Sequence, residues 1–165
     1  RAREALTQVG LDEKLWQQSP FELSGGQKRR VAIAGVLAMH PEVLILDEPT
    51  AGLDPKGRDE ILDEISALHR DRHMTIILVS HSMEDIARYA DRIMVMNHGE
   101  KVFDAPPKEV FRHYKELEAI GLAAPQITYI VQGLKEHGVP IADDITTVAE
   151  AKDAILQLLG KDERP

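Results

Sequence analysis

Cysteine is absent from this 165-residue chain, so neither a disulfide framework nor a thiolate metal site can form. No apolar run approaches the roughly 18–20 residues that a membrane-spanning helix requires. Any membrane association must therefore come through a partner or the surface. Net positive charge is lacking too. The formal net charge of −8 argues against broad nucleic-acid binding, while leaving room for a local basic patch. Internal repeats and low-complexity tracts are missing. The first residue is Arg1 and the opening segment is already helical in pattern. No signal peptide is visible, and a chain starting in mid-domain could not show one. What is present is globular composition, 43% hydrophobic and 29% charged, in a length that fits one domain with a real core.

Along the chain, Ala2, Leu6 and Val9 fall at helix spacing and Gly10 stops them. Pro20 ends a loop. Ser24 then opens a helix as its cap, with Gln27 reaching back in a capping box, and this helix runs to about Met39. Val43 to Leu46 reads as a strand buried on both faces of a parallel sheet. Asp54-Pro55 starts a helix whose buried stripe is Ile61, Leu62, Ile65 and Leu68. Thr75 to Val79 reads as a second buried strand, closed by Ser80-His81. Ser82 caps a helix to about Ala90, Ile93 to Met96 is a third strand, and Gly99 turns the chain into a short fourth around Val102-Phe103. Alternating strands and helices predict an α/β fold with a mainly parallel sheet and flanking helices. The composition changes at Ala105-Pro106-Pro107. Beyond it, Lys108–Ile120, Gln126–Glu136 and Thr147–Leu159 read as helices, the last with a capping box from Thr147 to Glu150. Residues 1–104 and 105–165 are thus expected to be an α/β part and a helical appendage.

Three local patterns carry chemistry. Ser24-Gly25-Gly26-Gln27 places two glycines at a helix N-terminus, where bared N–H groups and the helix dipole favour anions and the missing Cβ atoms allow a phosphate close approach. A capped helix with a glycine-containing first turn is the plain alternative. Asp47 and Glu48 are adjacent carboxylates at the C-terminal end of a buried strand, where open α/β sheets bind ligands. Asp47 suits Mg²⁺ held through water, and Glu48 can polarise a water for in-line attack on a γ-phosphate. Two solvated carboxylates closing a strand are the alternative. Asp54 caps the helix that follows and can hold a second role at once. His81 follows a buried strand, as a γ-phosphate sensor would, or is simply a loop residue. His40, His69, His73, His98, His113 and His137 have no ligand spacing and are assigned nothing.

The ordered set Leu23–Gln27, hydrophobic strand into Asp47-Glu48, Ala51-Gly52-Leu53-Asp54 and then His81 resembles the ABC ATPase family throughout 20–103. The pieces correspond to its signature motif, Walker B, D-loop and switch histidine. The stretches 19–23, 29–39 and 50–57, with Pro107, 109–111 and 117–122, resemble the A-subunits of energy-coupling-factor (ECF) transporters, most of all the second of their two paralogues. One feature departs from the family. Its P-loop, G-x-x-x-x-G-K-[ST], occurs nowhere here; Gly160-Lys161 is followed by Asp162, with Ile155 where the first Gly would stand. The chain is therefore expected to be the C-terminal part of a P-loop NTPase-like domain whose N-terminal P-loop part is missing.

The resemblance implies a head-to-tail pair of identical or paralogous ATPase subunits enclosing two ATP molecules. Ser24, Gly25, Gly26 and Gln27 would clasp the γ-phosphate of the partner's ATP. Glu48 and His81 would be catalytic toward the nucleotide of this subunit, with Asp47 serving its Mg²⁺, and Asp54 would couple the sites at the dimer seam. It further implies peripheral attachment at the cytoplasmic face of a bacterial or archaeal membrane, through a transmembrane T subunit and a substrate-capture S subunit for vitamins or metal ions, with no direct nucleic-acid contact. An ATPase of another ABC transporter group, or a soluble ABC ATPase acting on DNA or ribosomes, is the alternative. The chain by itself is expected to be inactive.

Overall fold

Helix α1 spans Ala2–Gln8, and the chain leaves it through Gly10 at φ +61°. A side chain is strained at that angle, and its Cβ would stand 2.8 Å from Glu64 Oε1 and 2.9 Å from Arg30 Nη1, so those side-chain ends would have to shift. Two short 3-10 turns lead to α2, Gly25–Leu37. The expected capping box is present: Ser24 Oγ accepts from the Gln27 N–H, and Gln27 Oε1 accepts from the Ser24 N–H at 2.8 Å. Strand β1 is Val43–Asp47, α3 is Pro55–Arg72 and β2 is Thr75–Val79. The Asp54 cap holds, with Oδ1 accepting from the Gly57 N–H at 3.1 Å. Ile61, Leu62, Ile65 and Leu68 form the buried stripe of α3, as their spacing requires. The computed structural model describes residues 1–72 and 74–160, so His73 lies outside it.

Strands β1 and β2 pair in parallel, Val43 opposite Thr75 through Asp47 opposite Val79. Within this chain their burial is one-sided, as expected where the part of the domain that would cover the other face is missing. Leu44 and Leu46 are buried, but Val43 is 48% and Ile45 64% exposed, and Ile77 and Val79 are exposed as well. Alternate residues of a strand point to opposite faces. The apolar run therefore covers one face with core and presents the other to solvent.

The contacts group the chain into two compact units, Arg1–His81 and Ser82–Pro165. In the second, α4 (Met83–Tyr89) is capped by Ser82, whose Oγ accepts from the Asp85 N–H. β3 (Ile93–Asn97) and β4 (Glu100–Ala105) pair antiparallel, with a register shift after Val95. The turn between them is His98-Gly99, at φ +50° and +82°, the pair of positive angles that a tight hairpin demands. Among the described residues, only one of the two strand pairings is thus parallel. The helix expected over Lys108–Ile120 is instead two, α5 (Pro107–Arg112) and α6 (Tyr114–Ala119), parted at His113 with ψ 32°. α7 is Gln126–Glu136 and α8 is Val148–Leu158, the latter with the expected Thr147–Glu150 box.

Two small cores hold the second unit. Ile93 and Val95 of the hairpin pack with Val110, Phe111, Leu117 and Ala124. Val131, Ile141, Ile145 and Ala151 form the other. The hairpin therefore shares its core with the helices beyond residue 105. The α5 and α8 ends are laced by ions: Lys108 lies 2.9 Å from Glu150 and 3.6 Å from Asp144.

Candidate functional site

The register of β1 and β2 builds the first half of the site. Because the strands run parallel and end level, the residues that follow them emerge side by side. The Glu48 N–H donates to the Val79 carbonyl at 2.9 Å, extending the ladder one step beyond Asp47. Glu48 then takes φ +46°, a left-handed position uncommon for a residue with a side chain and a recurrent mark of functional sites. Its Oε1 accepts from His81 Nδ1 at 2.8 Å. The structure thus brings together Glu48 and His81, 33 positions apart in sequence. Asp47 is exposed at the same strand end.

The second half is the start of α2. Gly25 and Gly26 donate their N–H groups to no acceptor among the described residues. A Cβ on Gly25 would meet nothing within 4 Å, and one on Gly26 only Leu53 Cδ2 at 3.8 Å. Ser24 Oγ uses a lone pair on the Gln27 N–H and retains its own proton; Gln27 spends Oε1 on Ser24 and retains its amide N–H₂. Ser24, Gly25, Gly26 and Gln27 line a cleft of about 920 Å³ with Gly52, Leu53 and Asp54. Asp47, Glu48 and His81 contribute none of its wall. The candidate residues therefore fall into two groups, one at the helix start and one at the strand ends.

Two arginines missed in the sequence reading hold these groups. Arg29 Nη1 donates to the Pro49 carbonyl and, at 3.0 Å, to the Ala51 carbonyl. Arg30 donates to the Val9 carbonyl at 2.9 Å and pairs with Glu64 and with Glu60 Oε2, the latter at 2.9 Å. Burial pushes the Glu64 carboxyl up, against the pull of Arg30. The available signal was two adjacent guanidinium groups one turn into a capped helix, next to a polar loop. Among the described residues no group of three or more His, Cys, Asp or Glu is arranged to hold a metal, and no helix is long and apolar enough to cross a membrane.

Residues 1–51 match the ABC transporter family. The chain is 60% identical over 161 residues to the energy-coupling factor transporter ATP-binding protein EcfA2 of Clostridium tetani, covering 97% of this chain and 56% of that protein. It is 54% identical to the protein of the same name from Acetivibrio thermocellus, over 98% of this chain and 57% of that one. It thus spans about half the length of the curated relatives it matches. Among solved structures, CbiO1 of Clostridium perfringens, part of the ABC transporter complex CbiONQ, superposes with TM-score 0.64 and 40% identity, over 79% of this chain and 52% of that one. The cassette MJ0796, dimeric in a post-hydrolysis state bound to ADP and Pi, gives TM-score 0.56 and 33% identity over 64% of this chain and 45% of that one. Fold, motif order and identity along nearly all of its length agree: the chain is similar throughout to part of the ABC transporter ATP-binding proteins, and the curated relatives it matches are ATP-binding proteins of energy-coupling factor transporters.

Proposed function

We propose that this chain is part of the ATP-hydrolysing subunit of an ECF-type importer for vitamins or metal ions. The observation that carries the reading is the separation of two half-sites on one unit: donors at the α2 start, and the Glu48–His81 pair at the strand ends. A single-site enzyme has no need of that separation, whereas a head-to-tail pair of cassettes does. Ser24, Gly25, Gly26 and Gln27 serve the partner's nucleotide through N–H and hydroxyl donors aimed at γ-phosphate oxygens. Glu48 takes up the proton of the attacking water at its carboxylate, and His81 orients that carboxylate through Nδ1. Asp54, in the same cleft as the helix start, couples the two sites.

Asp47 fits Mg²⁺, since an exposed carboxylate at a strand end suits an ion that keeps most of its water and takes one or two protein oxygens. When bound, that ion supplies charge neutralisation on the phosphate oxygens. The partners in this reading are a second ATPase subunit, a transmembrane T subunit and a substrate-binding S subunit at the cytoplasmic face of the membrane. Residues 1–104 carry the cassette motifs, and 105–165 are the helical extension that supports subunit pairing. Contacts group 82–104 with that extension, so the functional boundary and the packing boundary differ.

The test is Glu48→Gln in a full-length cassette carrying this segment. ATP binding stays near the parent's, while turnover falls about a hundredfold or more, the range for losing a positioned base. Turnover within a few-fold of the parent rejects the role of Glu48.

A further inference from the structure

The two arginines of α2 are used differently. Arg30 is spent on carboxylates and on the end of α1, joining three helices of the first unit. Arg29 has no carboxylate partner among the described residues. Its guanidinium is spent on two backbone carbonyls, Pro49 and Ala51, which flank Thr50 in the loop directly after Glu48. That loop is a chain of turns: the Ala51 N–H donates to the Glu48 carbonyl at 3.1 Å and the Leu53 N–H to the Thr50 carbonyl at 3.2 Å. It begins at the left-handed Glu48 and ends at the Asp54 cap.

We propose that Arg29 is a positioning residue, which locks the 49–53 loop to the helix that starts at Ser24 and thereby fixes the Glu48 carboxylate relative to the donors of the other half-site. A guanidinium is suited to this. It is planar and always charged, and both bonds leave one nitrogen, Nη1, whose two hydrogens are fixed in the guanidinium plane, so it holds two carbonyls at a set spacing where an ammonium's three donors rotate freely. Glu48 needs such a hold, because its backbone angle is unfavourable for a side-chain-bearing residue and persists only when its surroundings determine it. The inference rests on the ATPase reading above and adds a residue that touches neither nucleotide nor water.

The experiment uses the full-length cassette with Mg²⁺ and ATP and compares Arg29→Met with Arg29→Lys. Met keeps the aliphatic stem and removes the donors; Lys restores charge and donors without the fixed planar geometry. For variants that melt as folded proteins, kcat of Arg29→Met falls about tenfold or more while KM for ATP stays within about twofold, the pattern of an interaction exerted on the transition state alone. Arg29→Lys recovers a measurable part of kcat. If Arg29→Met retains kcat within about twofold, or if KM rises as kcat falls and Lys is no better than Met, the positioning role is overturned. A parent that hydrolyses no ATP overturns the functional reading, and this inference with it; an active parent with indifferent Arg29 variants overturns this inference alone.

Discussion

Glu48 spends on the order of 1 kcal/mol on its left-handed angle, yet that angle is what turns its carboxylate to His81 immediately after the strand. Ser24 shows the opposite economy, since its cap and its proposed donor role use different atoms of one hydroxyl. Ser24→Arg separates the two. Losing the cap costs about 1 kcal/mol of stability, while the long side chain fills the cleft in front of Gly25 and Gly26. In a full-length cassette, hydrolysis is expected to fall steeply with ATP affinity of the open monomer nearly unchanged. Nucleotide titration of the monomer alongside turnover reads this. Affinity that drops as far as turnover does would put the helix start on its own subunit's nucleotide.

At the scale of elements, capping chemistry explains which expectations held. The boxes at Ser24–Gln27 and Thr147–Glu150 are local, and both are found as read. Glu150 also has a pH signature. Burial pushes its carboxyl up, but Lys108 and the Thr146 and Thr147 N–H groups outweigh that and hold it at about 2. A depressed carboxyl stabilises the fold above its unfolded value of about 4.3 and loses that contribution as pH falls toward the folded value. Glu150→Gln should cost about 1 kcal/mol at pH 7, and the gap between variant and parent should close between about pH 4.5 and 2. Denaturant unfolding at stepped pH measures it; a gap independent of pH would remove the charge from the account.

What the sequence hid at this scale was tertiary. Nothing at His113 marks a helix break, as neither Gly nor Pro stands there. The Glu48–His81 contact depends on strand register, and Arg29 spans to a loop 20 positions away through a long side chain, beyond any local pattern.

For the whole molecule, the ATPase reading yields a negative expectation. This chain alone should not bind ATP tightly. The sequence contains no G-x-x-x-x-G-K-[ST] cradle, whose N–H groups and Lys surround β- and γ-phosphates in such enzymes. A helix start contributes only about 0.3–1 kcal/mol to anion binding, where micromolar affinity needs roughly 8 kcal/mol. Asp47 and Glu48 repel an unescorted triphosphate. Calorimetric titration of the 165-residue chain with ATP and Mg²⁺ decides it; a low-micromolar dissociation constant would show that the nucleotide site lies elsewhere in the chain.

The two strand pairings also differ in time. Between β3 and β4 lie only His98 and Gly99, so their ends meet by a local search, and hairpins of this kind close in about 1–10 μs. Between β1 and β2 lies all of α3, so the parallel ladder waits until a long segment has been gathered in, and loop-closure entropy is lost before any contact repays it. In pulse-labelled hydrogen exchange, amides of Ile93–Asn97 should gain protection ahead of those of Thr75–Val79; the reverse order would show that α3 forms and docks faster than the hairpin closes. Glu48 and His81, which meet only across the parallel ladder, would then be among the last residues of the chain to find each other.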